Sequence, residues 1–351
     1  MLEDSPHIAH SRWRLFLTLG TFIALVVLIY SVRRQIADVI TGLGQINAVA
    51  LLLIIPIELA NYDLYARLYR DLFATLGSKA DYRRLYRITL ELNFINHILP
   101  SGGVSGISYF SLRTRSEGIS AGQATFVQFM KLFLLYLSYQ PLLILGLLFL
   151  AIGGHVNDLI LVVTTFLITL LVVGTLIAIY IAESLARVNA FFTGLTKSIN
   201  WLIHLVRPKH PETINVKNAQ KTFLELYENY QLMKAKWRSL KLPFLYMLLA
   251  NATEVAALYV VYIAYGRLVN IGAVILAYAV ASFAGLMSVL PAGIGVYEGL
   301  MTGVLAATGI PAALSIPVTL TYRVVSMAVQ LIPGYIFYQR SVHEGLGRKP
   351  K

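Results

Sequence analysis

Four ionisable side chains stand deep inside apolar runs of this chain: Glu58, Lys131, Glu254 and Arg323. Each costs about 2.5–3.5 kcal/mol at the centre of a bilayer on insertion scales, so such residues mark ion and substrate paths or buried pairs. Glu58 and Glu254 each have an asparagine three residues away, Asn61 and Asn251, which places each Glu/Asn pair on one helix face. The order is Glu-x-x-Asn in the first case and Asn-x-x-Glu in the second. Two chemistries fit this set. In one, Glu58–Lys131 and Glu254–Arg323 are buried ion pairs that hold a helix bundle together. In the other, the cations meet a phosphate, while the glutamates compensate charge, take an amine or relay protons. A buried pair is weak evidence for stability, since apolar replacements often do as well. The planar fork of Arg323 suits phosphate or carboxylate recognition, whereas Lys131 is close enough to its helix end to snorkel.

Two breaks accompany the charges. Leu99-Pro100-Ser101-Gly102-Gly103-Val104 and Leu290-Pro291-Ala292-Gly293-Ile294-Gly295-Val296 each interrupt an apolar run. Lys131 follows Pro100 by 31 residues and Arg323 follows Pro291 by 32, the difference matching the single insertion, Ile294. Broken apolar segments at corresponding places in two halves are the best sequence pointer to a transporter's binding site. The glycines 102, 103 and 106, and 293, 295 and 299, permit close backbone approach and unusual dihedrals. Each break would begin a half-helix whose free N–H groups and positive dipole end attract an anion. Ser101 and Ser105 would cap or donate there, and Glu298, next to Tyr297, is placed either to pair with Arg323 or to contact substrate.

These residues need a membrane scaffold, and the composition supplies one. The 351 residues are 57% hydrophobic, only 13% charged, and have a mean hydropathy of +0.69. That is too little charge for a water-exposed surface of this size. The formal charge is +12, with Lys and Arg concentrated between the apolar runs, so anionic lipid at basic loops explains it better than nucleic acid does. Without cysteine there is no disulfide framework, Cys-based zinc site or thiol catalysis.

Spans of about 20 residues are predicted at roughly 15–32, 46–66, 124–150, 157–182, 242–264 and 313–339, with the broken runs at 85–113 and 271–308. The fold class is therefore an all-α polytopic membrane protein, with about six full spans and two broken or re-entrant hairpins. Residues 1–45 form a tail and first span, 46–150 a first repeat, 151–182 a linking span, 183–241 a basic amphipathic segment, 242–339 a second repeat and 340–351 a basic tail. The run from Leu15 to Val32 is too long for a cleaved signal peptide and lacks a small-residue cleavage site. The positive-inside rule puts the basic stretches 67–87, 187–241 and 340–351 in the cytoplasm, with both termini, in a cell (inner) membrane. The two repeats are then inverted copies. Between them Phe223, Leu226, Tyr227, Tyr230, Met233 and Trp237 recur at helical spacing, as in a helix lying on the cytoplasmic membrane face.

No G-x-S-x-G, Walker or dinucleotide pattern and no metal-ligand spacing is present, so no catalytic residue, cofactor or metal is assigned. His97, beside Asn96, just precedes the first break and either packs locally or meets a ligand.

The segments Asn93-Phe94-Ile95-Asn96-His97-Ile98-Leu99-Pro100-Ser101-Gly102-Gly103-Val104-Ser105-Gly106 and Leu290-Pro291-Ala292-Gly293-Ile294-Gly295-Val296-Tyr297-Glu298-Gly299, with Tyr322-Arg323, resemble the lysylphosphatidylglycerol synthetase transmembrane-region family. This is the membrane domain of the multiple peptide resistance factor and its stand-alone relatives, and the resemblance covers roughly residues 15–340. It implies the half of that system that moves aminoacylated phosphatidylglycerol between leaflets, not the separate soluble domain that makes the lipid. Many relatives carry an arginine after the first Leu-Pro and an Arg before the Glu of the second. This chain has Ser-Gly-Gly-Val-Ser and Tyr297 there, so its head group need not be lysyl-phosphatidylglycerol.

The expectation is a lipid translocase for a phosphate-bearing head group, aminoacylated or lipid-linked. Its contacts are Arg323, Lys131, Glu58, Glu254, Asn61, Asn251, Ser101, Gly102, Gly103, Gly293, Gly295 and Glu298. The alternatives are an enzyme acting on a lipid-linked substrate, or a non-transporting partner of a lipid synthase or glycosyltransferase. A homo-oligomer stays open.

Overall fold

The computed structural model describes residues 7–42, 44, 46–99, 104–154, 156–206, 216–287 and 293–344, and every regular element among them is helical. Ser101, Gly102 and Gly103 lie outside the described residues. The helices are α1 (His7–Ser31), α2 (Arg33–Gly42), α3 (Ile54–Thr75), α4 (Tyr82–Ile98), α5 (Val104–Thr114), α6 (Ala121–Ile152) and α7 (Asp158–Ala182). There follow α8 (Leu185–Val206), α9 (Val216–Ala235), α10 (Lys241–Ala264), α11 (Ile271–Met287), α12 (Val296–Ala307) and α13 (Ala312–Glu344). Both broken runs are resolved into helix pairs, α4/α5 and α11/α12. Within 183–241, α9 carries Phe223 to Met233 of the predicted aromatic helix, and α8 is a further helix that the periodicity did not predict.

Four helical segments are long and apolar enough to cross a membrane: α6, α7, residues Trp237–Ala264 and α13. Of the predicted span at 15–32, Thr18–Ser31 is a shorter apolar helix, and α3, over the predicted span at 46–66, is not among the four. α3 continues to Thr75 and carries Asp63, Arg67, Arg70 and Asp71 from its middle onward. Large apolar side chains such as Val162, Phe166 and Leu176 on α7 are exposed, as lipid-facing residues are.

The helices start and stop where short-range chemistry says they should. Asp81, Ser120 and Asn157 cap α4, α6 and α7 by accepting from the backbone N–H three residues on. α3 ends at Gly77 (φ +83°), with Ser78 N–H bonded to Phe73 O and Gly77 N–H to Ala74 O. α10 ends identically at Gly266 (φ +67°), with Arg267 N–H to Tyr262 O and Gly266 N–H to Ile263 O. Both are Schellman closures, which need the left-handed glycine.

That likeness extends through the bundle. α3 and α10 each follow a single 3₁₀ turn, Ala50–Leu53 and Trp237–Leu240, and each has proline as its third residue, Pro56 and Pro243. Pro141 in α6 and Pro333 in α13 each lie ten residues beyond the cation of their helix. Packing is exchanged between the halves: α3 lies on α10, α6 packs on α11, and α13 packs on α4. The last two contacts are close. A Cβ on Gly334 would meet Leu90 O and Phe94 Cβ at 2.7 Å, and one on Gly146 would meet Ile275 and Leu276 at 3.0 Å. Outside this double unit, α1 and α2 pack on α13, α7 lies against α6, and α9 joins α6 to α8.

Candidate functional site

Helices α3, α4, α5, α6, α10, α11, α12 and α13 line a cavity of about 360 Å³. Both halves contribute charge to its wall: Lys131 from α6, Glu254 from α10 and Arg323 from α13. The first predicted chemistry, direct pairing of Glu58 with Lys131 and of Glu254 with Arg323, is not what the structure has. Glu58 is 1% exposed, is not among the lining residues, and accepts through Oε2 from Gln330 Nε2 at 3.0 Å. Glu254 Oε2 accepts from the Tyr322 hydroxyl at 2.7 Å. Lys131 Nζ sits 5.2 Å from the centre of the Tyr65 ring and makes no ion pair among the described residues.

Arg323 is held from α12. Its Nε donates to Glu298 Oε1 at 3.0 Å, and its guanidinium lies 4.5 Å from the centre of the Tyr297 ring. The other Glu298 oxygen, Oε2, accepts from Gly295 N–H at 2.6 Å. Gly295 has φ +87°, a conformation open to glycine, and this turn directs the first N–H of α12 at the carboxylate. The N–H of this N-cap residue thus bonds Glu298, three residues on in α12, as in a capping box. Gly293, at φ +65°, lies on the cavity wall against Gly285.

The two asparagines divide in role. Asn61 lines the cavity and donates to Ala250 O at 3.0 Å and Thr253 Oγ1 at 2.9 Å, tying α3 to α10. Asn251 is 1% exposed, donates to Ser138 Oγ at 2.7 Å and accepts from the Tyr278 hydroxyl at 2.8 Å. Asn251 has no place on the cavity wall and joins α10 to α6 and α11. Glu58 likewise joins α3 to α13. His97 does line the cavity, with Nδ1 2.8 Å from Asn93 O.

Sequence reasoning missed the tyrosines. Tyr65, Tyr136, Tyr139, Tyr278, Tyr297 and Tyr322 surround the cavity. The signal was present in the count, 21 Tyr against 16 Phe, since tyrosine far from an interface needs a hydrogen-bonding or cationic partner. It missed also a second buried ionic cluster. Arg113 of α5 makes a two-pronged contact with Glu91 of α4, at 2.7 and 3.1 Å, and Tyr109 and Ser341 donate to the same carboxylate at 2.7 and 2.5 Å. This cluster fixes the first broken pair to the end of α13.

The model for the lysylphosphatidylglycerol synthase TM region matches residues 17–334. A UPF0104 membrane protein of Methanocaldococcus jannaschii is 24% identical over 275 residues, covering 76% of this chain and 77% of that one. A UPF0104 membrane protein of Methanothermobacter thermautotrophicus is 27% identical over 186 residues, 47% of this chain, and that match spans 56% of the relative's length. With nearly its whole helical length matched, including both breaks and both cavity cations, this multi-pass membrane chain belongs to the lysylphosphatidylglycerol synthase TM region family.

Proposed function

We propose that this protein is a lipid translocase that passes a phosphate-bearing head group between leaflets, through the cavity between its two halves, while the acyl chains stay in lipid. The observation that carries the reading is the cavity wall itself: a lysine, an arginine and a glutamate from three helices face one polar, tyrosine-lined space. A bundle needing charges only for cohesion would pair them, yet Lys131 and Glu254 are turned to the cavity with neutral partners. The volume, about 360 Å³, is at the small end of ligand pockets, suited to a head group and too small for two acyl chains.

The repeat supports alternating access. Matched prolines, matched Schellman ends and exchanged packing fit two copies of one unit, and the basic loops orient those copies oppositely with both termini cytoplasmic. On this reading the protein is a transporter and not an enzyme, resides in the cell membrane, and holds anionic lipid at its basic surface helices. The head group includes aminoacylated ones in its range, since Glu254 and the tyrosine faces suit an amine.

The test is leaflet exchange in proteoliposomes, with head-group-labelled phosphatidylglycerol and an impermeant quencher. Wild type is expected to accelerate exchange, and Arg323→Ala and Glu254→Gln to lose it. Absence of exchange from folded protein with every phospholipid tried would move the assignment to an enzyme or to a partner of a lipid synthase.

A further inference from the structure

Arg323 is the deepest cation of the site, 9% exposed, and its anion partner is a carboxylate on the adjoining helix, not a group of the cavity wall. Glu298 uses both oxygens: one on Arg323 Nε, the other on the Gly295 N–H at the start of α12. A guanidinium and a backbone N–H converging on two oxygens of one anion is the arrangement a phosphate takes at a helix start. Lys131, across the cavity, has only the Tyr65 ring to neutralise it among the described residues. The site thus carries one cation already satisfied and one that is not.

We infer that Glu298 is a resident anion on Arg323, and that a phosphate head group must compete with it, so that Glu298 sets how tightly the site retains an anionic lipid. This deepens the translocase reading and rests on it. Its consequence is kinetic. A site with two unopposed cations would trap its anion, whereas a resident carboxylate that returns to Arg323 and Gly295 as the phosphate leaves lowers the cost of release. Lys131 then supplies the first attraction, and Arg323 engages as it parts from Glu298. Replacing Glu298 by the neutral Gln keeps the size but leaves one acceptor oxygen for the two donors, and it removes the opposing charge. Losing one charge-assisted contact for a neutral one favours the competing anion about tenfold.

The experiment is calorimetric titration of detergent-solubilised full-length protein with dihexanoyl-phosphatidylglycerol, and separately with inorganic phosphate. Four proteins are compared: wild type, Glu298→Gln, Arg323→Ala, and the double variant. The expected result is about tenfold tighter binding by Glu298→Gln, weak binding by Arg323→Ala, and a double variant no tighter than Arg323→Ala. Binding of the lipid with no response to inorganic phosphate assigns the source to a head group, and equal response to both assigns it to free phosphate; either pattern supports the competition if Glu298→Gln tightens it. Weaker or unchanged binding by Glu298→Gln overturns the inference, because Glu298 then only positions Arg323, while the translocase reading stands on wild-type binding. No binding by any of the four removes both. If the Gln variant does not fold, Glu298→Asp, which keeps the charge and shortens the reach, is expected to tighten binding less, and unchanged or weaker binding by it overturns the inference equally.

Discussion

Lys131 in α6 and Arg323 in α13 each stand ten residues before a helix-interior proline, yet their surroundings differ. Arg323 is tethered by Glu298, stacked on Tyr297 and nearly buried. Lys131 has a tyrosine face and otherwise open cavity. The helical settings are alike and the chemistry is not. On the translocase reading, the unlike cations give a path whose two ends differ in hold. Joints follow the same rule. Gln330 meets Glu58 in one half and Ser138 meets Asn251 in the other, at corresponding positions with different partners.

Removing Arg323 should break the comparison most severely. Arg323→Ala is expected to cut leaflet exchange about 10- to 100-fold, the worth of one to two charge-assisted contacts. Arg323→Lys should recover little of it, because an ammonium cannot make the planar two-pronged contact of a guanidinium with a phosphate. A midrange effect tests the scaffold. Gly334→Ala should destabilise the protein by about 1–3 kcal/mol in a detergent unfolding titration. Gly146→Ala should cost less, because it meets the ends of Ile275 and Leu276 side chains where Gly334 meets the Leu90 carbonyl. Equal losses would mean the two interfaces are closer to identical than their side chains imply. Lys131→Met is expected to slow exchange by about three- to tenfold, in line with a cation–π contact and an attractive charge but no tether. If it matched Arg323→Ala, the asymmetry would have no functional weight.

The smallest effect is expected far from both cations. Hydrogen bonding and charge from Lys234 hold Glu183 below the ordinary carboxylate range and lift Lys234 above the usual lysine value. A lowered carboxylate contributes above its unfolded pKa and loses that contribution as pH falls through its folded value. Acidification therefore loosens this exposed pair, and Lys234→Ala should leave exchange at neutral pH within error of wild type.

The long apolar helices were legible almost to the residue: 124–150, 157–182 and 242–264 against α6, α7 and α10. Hydropathy and the capping residues Ser120 and Asn157 act within one segment, so a one-dimensional reading reaches them. The two cations and the breaks were legible because each violates its apolar context. Partner choice was not. Whether Arg323 faces Glu254 or Glu298 depends on how α12 rotates beside α13, which the Gly295 turn sets and no periodicity reports. Asn251 read as a ligand contact because it shares a face with Glu254; only packing shows its bonds to Ser138 and Tyr278. The Glu91–Arg113 pair was invisible for the opposite reason, since charges near a segment's end pass for solvated flank.

Pro141 and Pro333 carry one further consequence. Proline has no N–H, so the carbonyls of Leu137 and Val329, one turn earlier, lose their helical donors. Each of the two longest helices is thereby missing a rung at the same height, beside Ser138 in one and Gln330 in the other. A rod lacking a rung yields there before it yields elsewhere. The molecule has two matched elbows, one per half, each within a few turns of its cation and joined to the opposite half by a hydrogen bond at the bend. On the translocase reading, a tilt of one long helix would press at that height on the partner half and gear the two together.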